Sequence, residues 1–186
     1  MSDVHVCPWW AGYLLANPLR KIFQNPDKML KQYIRPGDCV LEIGPGMGFF
    51  TLPAAKIAGE SGKIITVDIQ EKMLENLMNR AQRKKLDGRI VARLCNNDSF
   101  CIDDLTSSID FCMLLYVVHE IPDKQRLFRD ASNAMKPGAK VLFSEPPGHV
   151  TKSEFEQSVS MMRDSGFKIT GRPQIWRLQS AIAEKI

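Results

Sequence analysis

Glu42-Ile43-Gly44-Pro45-Gly46-Met47-Gly48 lies between an apolar run, Val40 to Ile43, and a helix-forming segment from about Phe49 to Ala58. A strand that ends in closely spaced glycines and passes straight into a helix opens a ligand-binding α/β unit. Glycine lets the chain turn sharply and lets a ligand approach backbone that no Cβ screens. The spacing is G-x-G-x-G, whereas a dinucleotide site prefers G-x-G-x-x-G with a pyrophosphate at the helix N-terminus. An acidic residue, Glu42, stands two positions before the first glycine. A carboxylate is a poor neighbour for a pyrophosphate and a good one for an amino group.

Outward from this loop, short apolar strands alternate with amphipathic helices, the pattern of a parallel sheet with helices on both faces. The first strand is entered through Pro36-Gly37-Asp38, and the second runs from Lys63 to Asp68. Met73, Leu74, Leu77, Met78 and Ala81 recur at helical spacing and predict a helix from about Glu71 to Lys85. Ile90 to Cys95 is the third strand. Ile109 to Leu115, apolar nearly throughout, is the fourth, expected to be central and buried on both faces. A helix from Asp123 to Met135 is ended by Lys136-Pro137-Gly138, and Ala139 to Ser144 is the fifth strand. Thr151-Lys152-Ser153-Glu154 has capping-box spacing and opens a helix that Gly166 stops. Phe167 to Thr170 and Ile175 to Ala183 are separated by Gly171-Arg172-Pro173, a gap too short for a parallel crossover. They therefore pair as an antiparallel hairpin. The expected fold is α/β: a Rossmann-like, seven-stranded, mostly parallel sheet with an antiparallel C-terminal hairpin. One domain covers residues 1–186, with 36–186 as the core and 1–35 as an N-terminal cap segment.

Asp68 ends the second strand, twenty residues past Gly48. A carboxylate there can accept both hydroxyls of a ribose. Alone it suits a dinucleotide as well. With Glu42 and the glycine spacing it favours S-adenosylmethionine, which carries an amino group and no phosphate.

Further stretches join the loop and Asp68: Asn97-Asp98-Ser99 after strand three, Val117-Val118-His119-Glu120-Ile121-Pro122-Asp123 after strand four, and Met135-Lys136-Pro137-Gly138 before strand five. Together they resemble the ordered motifs of class I S-adenosylmethionine-dependent methyltransferases. The nearest flavour is the small-molecule branch that includes the ubiquinone/menaquinone-biosynthesis methyltransferases. The resemblance implies that Glu42, Gly44, Pro45, Gly46 and Gly48 form the cofactor loop, with Glu42, Gly44 and Gly46 at the methionine end. It implies that Asp68 binds the ribose and Ile69 packs on the adenine. Asp98, flanked by Asn97 and Ser99, would meet the adenine amino group. Leu115 and Tyr116 would border the methionine moiety. Family members often carry Gly-Asp-Ala where this chain has Asn97-Asp98-Ser99.

A sulfonium methyl group is already activated, so such a protein mainly places a nucleophile in line and excludes water. A base is needed only where the acceptor must lose a proton. His119 is the first candidate, and Glu145 a second. Glu120 and His149 lie on the same expected edge, where ligands of open α/β sheets bind. A structural histidine that fixes the following loop is the competing reading of His119. Trp9, Trp10 and Tyr13 either cover the site as an aromatic lid or pack the cap onto the sheet. The run of Asn/Asp-Pro-Pro-aromatic that marks many methyltransferases of DNA bases and of glutamine is absent after strand four, where the chain reads Leu115-Tyr116-Val117-Val118. The expected acceptor is a small molecule. A non-catalytic S-adenosylmethionine-binding partner subunit, a methyltransferase acting on a macromolecule and a nicotinamide-dependent Rossmann enzyme are the alternatives.

The bulk numbers agree. The 186 residues are 44% hydrophobic and 25% charged, an ordinary globular balance. Net charge is +4, too small to argue for nucleic acid, and the basic run Arg80 to Arg93 reads as a solvated helix face. No apolar run approaches the roughly 18 residues of a membrane span, and no secretion signal is visible, so no membrane and a cytoplasmic location are expected. None of the five cysteines forms a C-x-x-C pair. Cys39, Cys95 and Cys112 are expected as reduced core residues, and no metal is expected.

Overall fold

A computed structural model describes residues 24–96 and 98–186. Cys7, Trp9, Trp10, Tyr13 and Asn97 lie outside the described residues. The chain forms two compact units, one ending at Cys101 and the other running from Ile102 to Ile186. The seven strands belong to one mixed sheet, the expected Rossmann-like class.

The first unit opens with α1 (Pro26–Leu30), whose N-terminus is capped by the Asn25 side chain accepting from the Lys28 amide at 3.1 Å. Met29 and Leu30 are buried, and α1 packs against α2 (Thr51–Ala58). Strands β1 (Cys39–Ile43), β2 (Lys63–Asp68) and β3 (Ile90–Leu94) pair in parallel, with β2 in the middle. Helix α3 (Glu71–Arg83) turns Met73, Leu74, Leu77 and Ala81 inward, as their spacing requires.

In the second unit β4 (Ile109–Leu115) and β5 (Met135–Glu145) are parallel. β7 (Gln179–Lys185) runs antiparallel between β5 and β6 (Phe167–Gly171). The capping box is formed at α5 (Lys152–Asp164): the Glu154 amide donates to Thr151 Oγ1 at 3.2 Å, and the Thr151 amide to Glu154 Oε2 at 2.8 Å. Asp123 caps α4 (Lys124–Ala134) through the Arg126 amide at 2.9 Å. Phe143 stacks on Phe155 with centroids 4.7 Å apart and meets Phe128 edge-on at 5.9 Å, which ties both helices to the sheet.

Three readings change. β5 begins at Met135, not Ala139, because Met135 already pairs with Ile109; the Pro137-Gly138 turn then bulges out, and pairing resumes at Lys140 with Phe111. β7 begins at Gln179, not Ile175, since residues 175–178 close a turn in which the Leu178 amide donates to the Ile175 carbonyl at 2.7 Å. Cys112 is buried in β4, but Cys39 and Cys95 are only half-buried, one starting β1 and the other following β3. No helix among the described residues is long and apolar enough to cross a membrane.

Candidate active site

Register brings the cofactor-loop residues of the first unit together. Ile43 lies opposite Val67, and the Gly44 amide donates to the Val67 carbonyl at 2.9 Å, so the glycine turn starts level with Asp68. Gly46 and Gly48 have φ of +53° and +81°, in the left-handed region. They serve different ends. A Cβ on Gly48 would overlap the Leu77 side chain, so that glycine lets α3 close on the loop. A Cβ on Gly46 would meet nothing within 4 Å, so the loop there borders open space.

The Asp68 carboxylate is held by the loop it faces. It accepts the Gln70 amide at 2.9 Å and the amides of Gly46 and Ile69. Burial pushes its pKa up, and these three amides pull against that shift. Ile69, beside it, leaves 40% of its surface exposed, an apolar platform next to a fixed carboxylate. The Cys95 amide donates to the Asp68 carbonyl at 3.0 Å and so carries the turn after β3 to the same strand end. In that turn Asn96 and Ser99 pair through amides 3.3 Å from the opposite carbonyls, and the Asp98 amide donates to Asn96 Oδ1 at 2.8 Å. Asp98 is left exposed at the tip.

Glu42 has a second task that its place in the motif does not reveal. It is 2% exposed, and the Thr51 hydroxyl, from the first residue of α2, donates to it at 2.5 Å. The pair closes the glycine loop at its base. Burial pushes the Glu42 carboxyl up to about 7; the Thr51 bond opposes this, and the Asp68 charge adds to it. Arg80 corrects the reading of its neighbourhood as a solvated face. Its half-buried guanidinium donates to the Met47 carbonyl, which ties α3 to the loop, and burial lowers its pKa.

In the second unit β4 ends at Leu115, and Tyr116 takes φ +64° while its amide donates to the Ser144 carbonyl at 2.9 Å. Such a conformation costs a bulky residue roughly 1–2 kcal/mol. It turns the chain into a short 3₁₀ segment, Val118–Glu120. There His119 meets Glu145, the last residue of β5, which is 1% exposed. His119 Nδ1 lies 2.6 Å from Glu145 Oε2, and the His119 amide donates to Oε1 at 3.0 Å. His119 Nε2 is 3.9 Å from Glu120 Oε1, and the His149 ring centroid is 5.2 Å away. Burial lowers the His119 pKa. The hydrogen bond and charge of Glu145, with the charge of Glu120, outweigh that effect and raise it, against Lys124. The two candidate bases thus form one carboxylate–imidazole pair.

Residues 34–181 match the methyltransferase-domain family. The chain belongs to that family. A ubiquinone/menaquinone biosynthesis C-methyltransferase of Marinomonas sp. (strain MWYL1) is 24% identical over 127 residues, 67% of this chain and 50% of that one. An arsenite methyltransferase of Halobacterium salinarum is 29% identical over 130 residues, covering 70% of this chain and 32% of the other. The chain therefore spans about half or less of the length of these curated relatives. In fold, it is similar to a SAM-dependent methyltransferase from Aquifex aeolicus, with a TM-score of 0.86 and 20% identity, over 97% of this chain and 100% of that one.

Glu42, Gly44, Gly46, Gly48 and Asp68, all expected from the sequence, come together in the structure, and Asp98 is left exposed on the adjoining turn. Thr51 and Arg80, which fix the loop, and Gln70, which fixes the Asp68 carboxylate, are not among the residues expected from the sequence. Thr51 had a signal, as a helix-starting hydroxyl nine residues after a buried strand acid. Arg80 had none, because its bond spans 33 residues.

Proposed function

We propose that the chain is an S-adenosylmethionine-dependent methyltransferase acting on a small-molecule acceptor. One observation carries the reading: a carboxylate fixed by three backbone amides lies beside an exposed isoleucine and a glycine turn open to solvent. That set fits a nucleoside. Asp68 would accept the ribose hydroxyls, Ile69 would cover the adenine face, and Asp98 would take the adenine amino group with Asn97 and Ser99 beside it. Gly44, Pro45, Gly46 and Gly48 would leave room for the methionine moiety, with Glu42 near its ammonium. The bound cofactor supplies a methyl group on a positively charged sulfur. Within this reading the chain's own work is to bind, orient and exclude water.

The absence of a pyrophosphate-type glycine spacing favours this ligand over a nicotinamide dinucleotide. The intact loop disfavours a non-catalytic partner subunit, whose sign would be a degraded cofactor loop. The names of the curated relatives, a quinone-pathway C-methyltransferase and an arsenite methyltransferase, support a small acceptor. Calorimetric titration of the full chain with S-adenosylmethionine and, separately, with NAD tests the cofactor. Saturable binding of the first and none of the second is expected; tighter NAD binding would overturn the reading. Transfer of tritium from methyl-labelled cofactor into a small-molecule panel tests the acceptor, and label appearing only in protein or RNA would refute a small one.

A further inference from the structure

The pair formed by His119 and Glu145 has chemistry that narrows the acceptor. We propose that Glu145 is a positioning residue that fixes His119 as a general base through Nε2, and that the acceptor is accordingly an O–H acid of the phenol or enol type. This rests on the methyltransferase reading above.

The two oxygens of Glu145 have different partners, both on His119. Oε1 accepts the His119 amide at 3.0 Å, and that amide proton cannot move. Oε2 lies 2.6 Å from Nδ1. A buried carboxylate only accepts, so the neutral imidazole must place its proton on Nδ1 and leave the Nε2 lone pair bare. Nε2 has Glu120 Oε1 at 3.9 Å, too far for a hydrogen bond but close enough to steady a positive charge. The groups around the ring are therefore Glu145 from β5, Glu120 from the same turn, His149 from the loop after β5 and Lys124 from α4. Two carboxylates favour the protonated ring, which is what a base needs once it has taken its proton. The side chain keeps 18% of its surface exposed, so it is not sealed off as a loop clamp would be.

A base of this kind matters for an acceptor whose O–H proton must leave during attack. An imidazole can take that proton from a phenol or enol, with a pKa of about 10, but hardly from an alkanol. A neutral amine that accepts a methyl cation becomes a stable ammonium, and a thiolate becomes a neutral thioether. A neutral hydroxyl would become an oxonium unless its proton leaves during attack. In the proposed step the acceptor oxygen bonds to the methyl carbon. The carbon–sulfur electron pair goes to sulfur, which leaves as a neutral thioether, and the O–H proton passes to Nε2 of His119. One positive charge enters, on sulfur, and one remains, on the imidazolium, which then releases its proton to water.

The test reads the ring before it reads turnover. In the full chain labelled with ¹⁵N-histidine, three histidines give signals, His5, His119 and His149, and His119→Gln assigns the one that matters. The expected result is an Nδ1–H tautomer above its pKa. In Glu145→Gln the single amide oxygen must serve the fixed His119 amide, so the NH₂ faces Nδ1 and the tautomer inverts to Nε2–H. Glu145→Asp keeps the carboxylate and should keep the original tautomer, which guards against mere local unfolding. With catechol as probe and tritiated S-adenosylmethionine, Glu145→Gln and His119→Gln should each cut single-turnover transfer by about 10²–10⁴-fold and abolish its rise with pH. Transfer to thiophenol should be indifferent to both. An Nε2–H tautomer in the wild type, or catechol transfer with an unchanged pH profile in Glu145→Gln, overturns the base. Transfer to thiophenol alone, or to neither probe with the cofactor bound, overturns the acceptor class. Failure of S-adenosylmethionine to bind calorimetrically would instead sink the methyltransferase reading and leave the tautomer result standing.

Discussion

Replacing Glu42 by Gln should stabilise the ligand-free protein, and the gain should depend on pH. Glu42 is buried, and its carboxyl titrates at about 7 against an ordinary 4.5. Between those values the folded chain holds a proton that the unfolded chain has released. Stability is therefore lost as pH rises through this window, and the ionised carboxylate is a standing cost above it. The difference of roughly 2.5 pH units, at about 1.36 kcal/mol each, makes that cost about 3 kcal/mol. Glutamine cannot ionise, and its carbonyl can still accept the Thr51 hydroxyl. Other titrating groups are common to both proteins and cancel. Urea unfolding of both proteins from pH 4.5 to 8 should show an advantage for Glu42→Gln that grows from near zero to about 3 kcal/mol. In melting temperature this is on the order of 6–12 °C at pH 8 for a chain of this size. An offset that stays constant across the range would refute the reasoning, because it would mean that Glu42 is ionised throughout. The same variant should bind S-adenosylmethionine more weakly, since an ammonium near Glu42 would favour its charged form.

Asp68→Ala should lower affinity for S-adenosylmethionine at least about tenfold, since hydrogen bonds to charged groups contribute roughly 1.5–3 kcal/mol each; an unchanged dissociation constant by calorimetry would remove Asp68 from the site. Gly46→Val should abolish binding while circular dichroism shows the fold retained, because φ is +53° and the added side chain enters open space; normal binding by the folded variant would move the site elsewhere. Gly48→Ala should act mainly on stability, by about 1–3 kcal/mol in urea, because its Cβ overlaps Leu77; a stability equal to wild type would mean that α3 is free to shift.

The local features legible in the sequence were those with a short-range cause. Strands β2 and β4 have the predicted bounds because each apolar run is cut off by a charged or turn residue. The capping box at α5 follows from Thr151 and Glu154 alone. The glycine loop and Asp68 were legible as types of chemistry in order along the chain. What was not legible depends on which strands become neighbours. His119 and Glu145 read as rival bases because nothing in one dimension sets residues 26 apart against each other; parallel register of β4 and β5 does so. Arg80 read as solvent-facing for the same reason, its partner being a backbone carbonyl in a distant loop. The start of β5 was missed because Pro137-Gly138 looks like a stop, whereas the ladder steps over it as a bulge.

Three local costs fall at carboxyl ends of parallel strands. Glu42 is a desolvated carboxyl at the end of β1, two residues before the glycine turn. Tyr116 holds a left-handed backbone just past β4. Glu145 is a nearly inaccessible carboxylate at the end of β5, paired with a histidine. An apolar residue at either acid, or a glycine at 116, would relieve each cost within the same fold. The opposite ends are not free of strain, since Ser107 takes φ +48° two residues before β4, but no buried acid among the described residues lies there: Lys136 of β5 and Asp110 of β4 pair with 47% and 28% of their side-chain surfaces exposed. Buried acids that fall on one kind of strand end are the expected mark of a site under selection for binding and chemistry rather than for stability. Tyr116→Gly separates the two demands. It should stabilise the fold by up to about 1 kcal/mol if strain is relieved without other loss, and it should weaken methyl transfer if the turn that presents His119 depends on the tyrosine. A variant that loses stability and keeps full transfer would show that the left-handed turn serves packing alone.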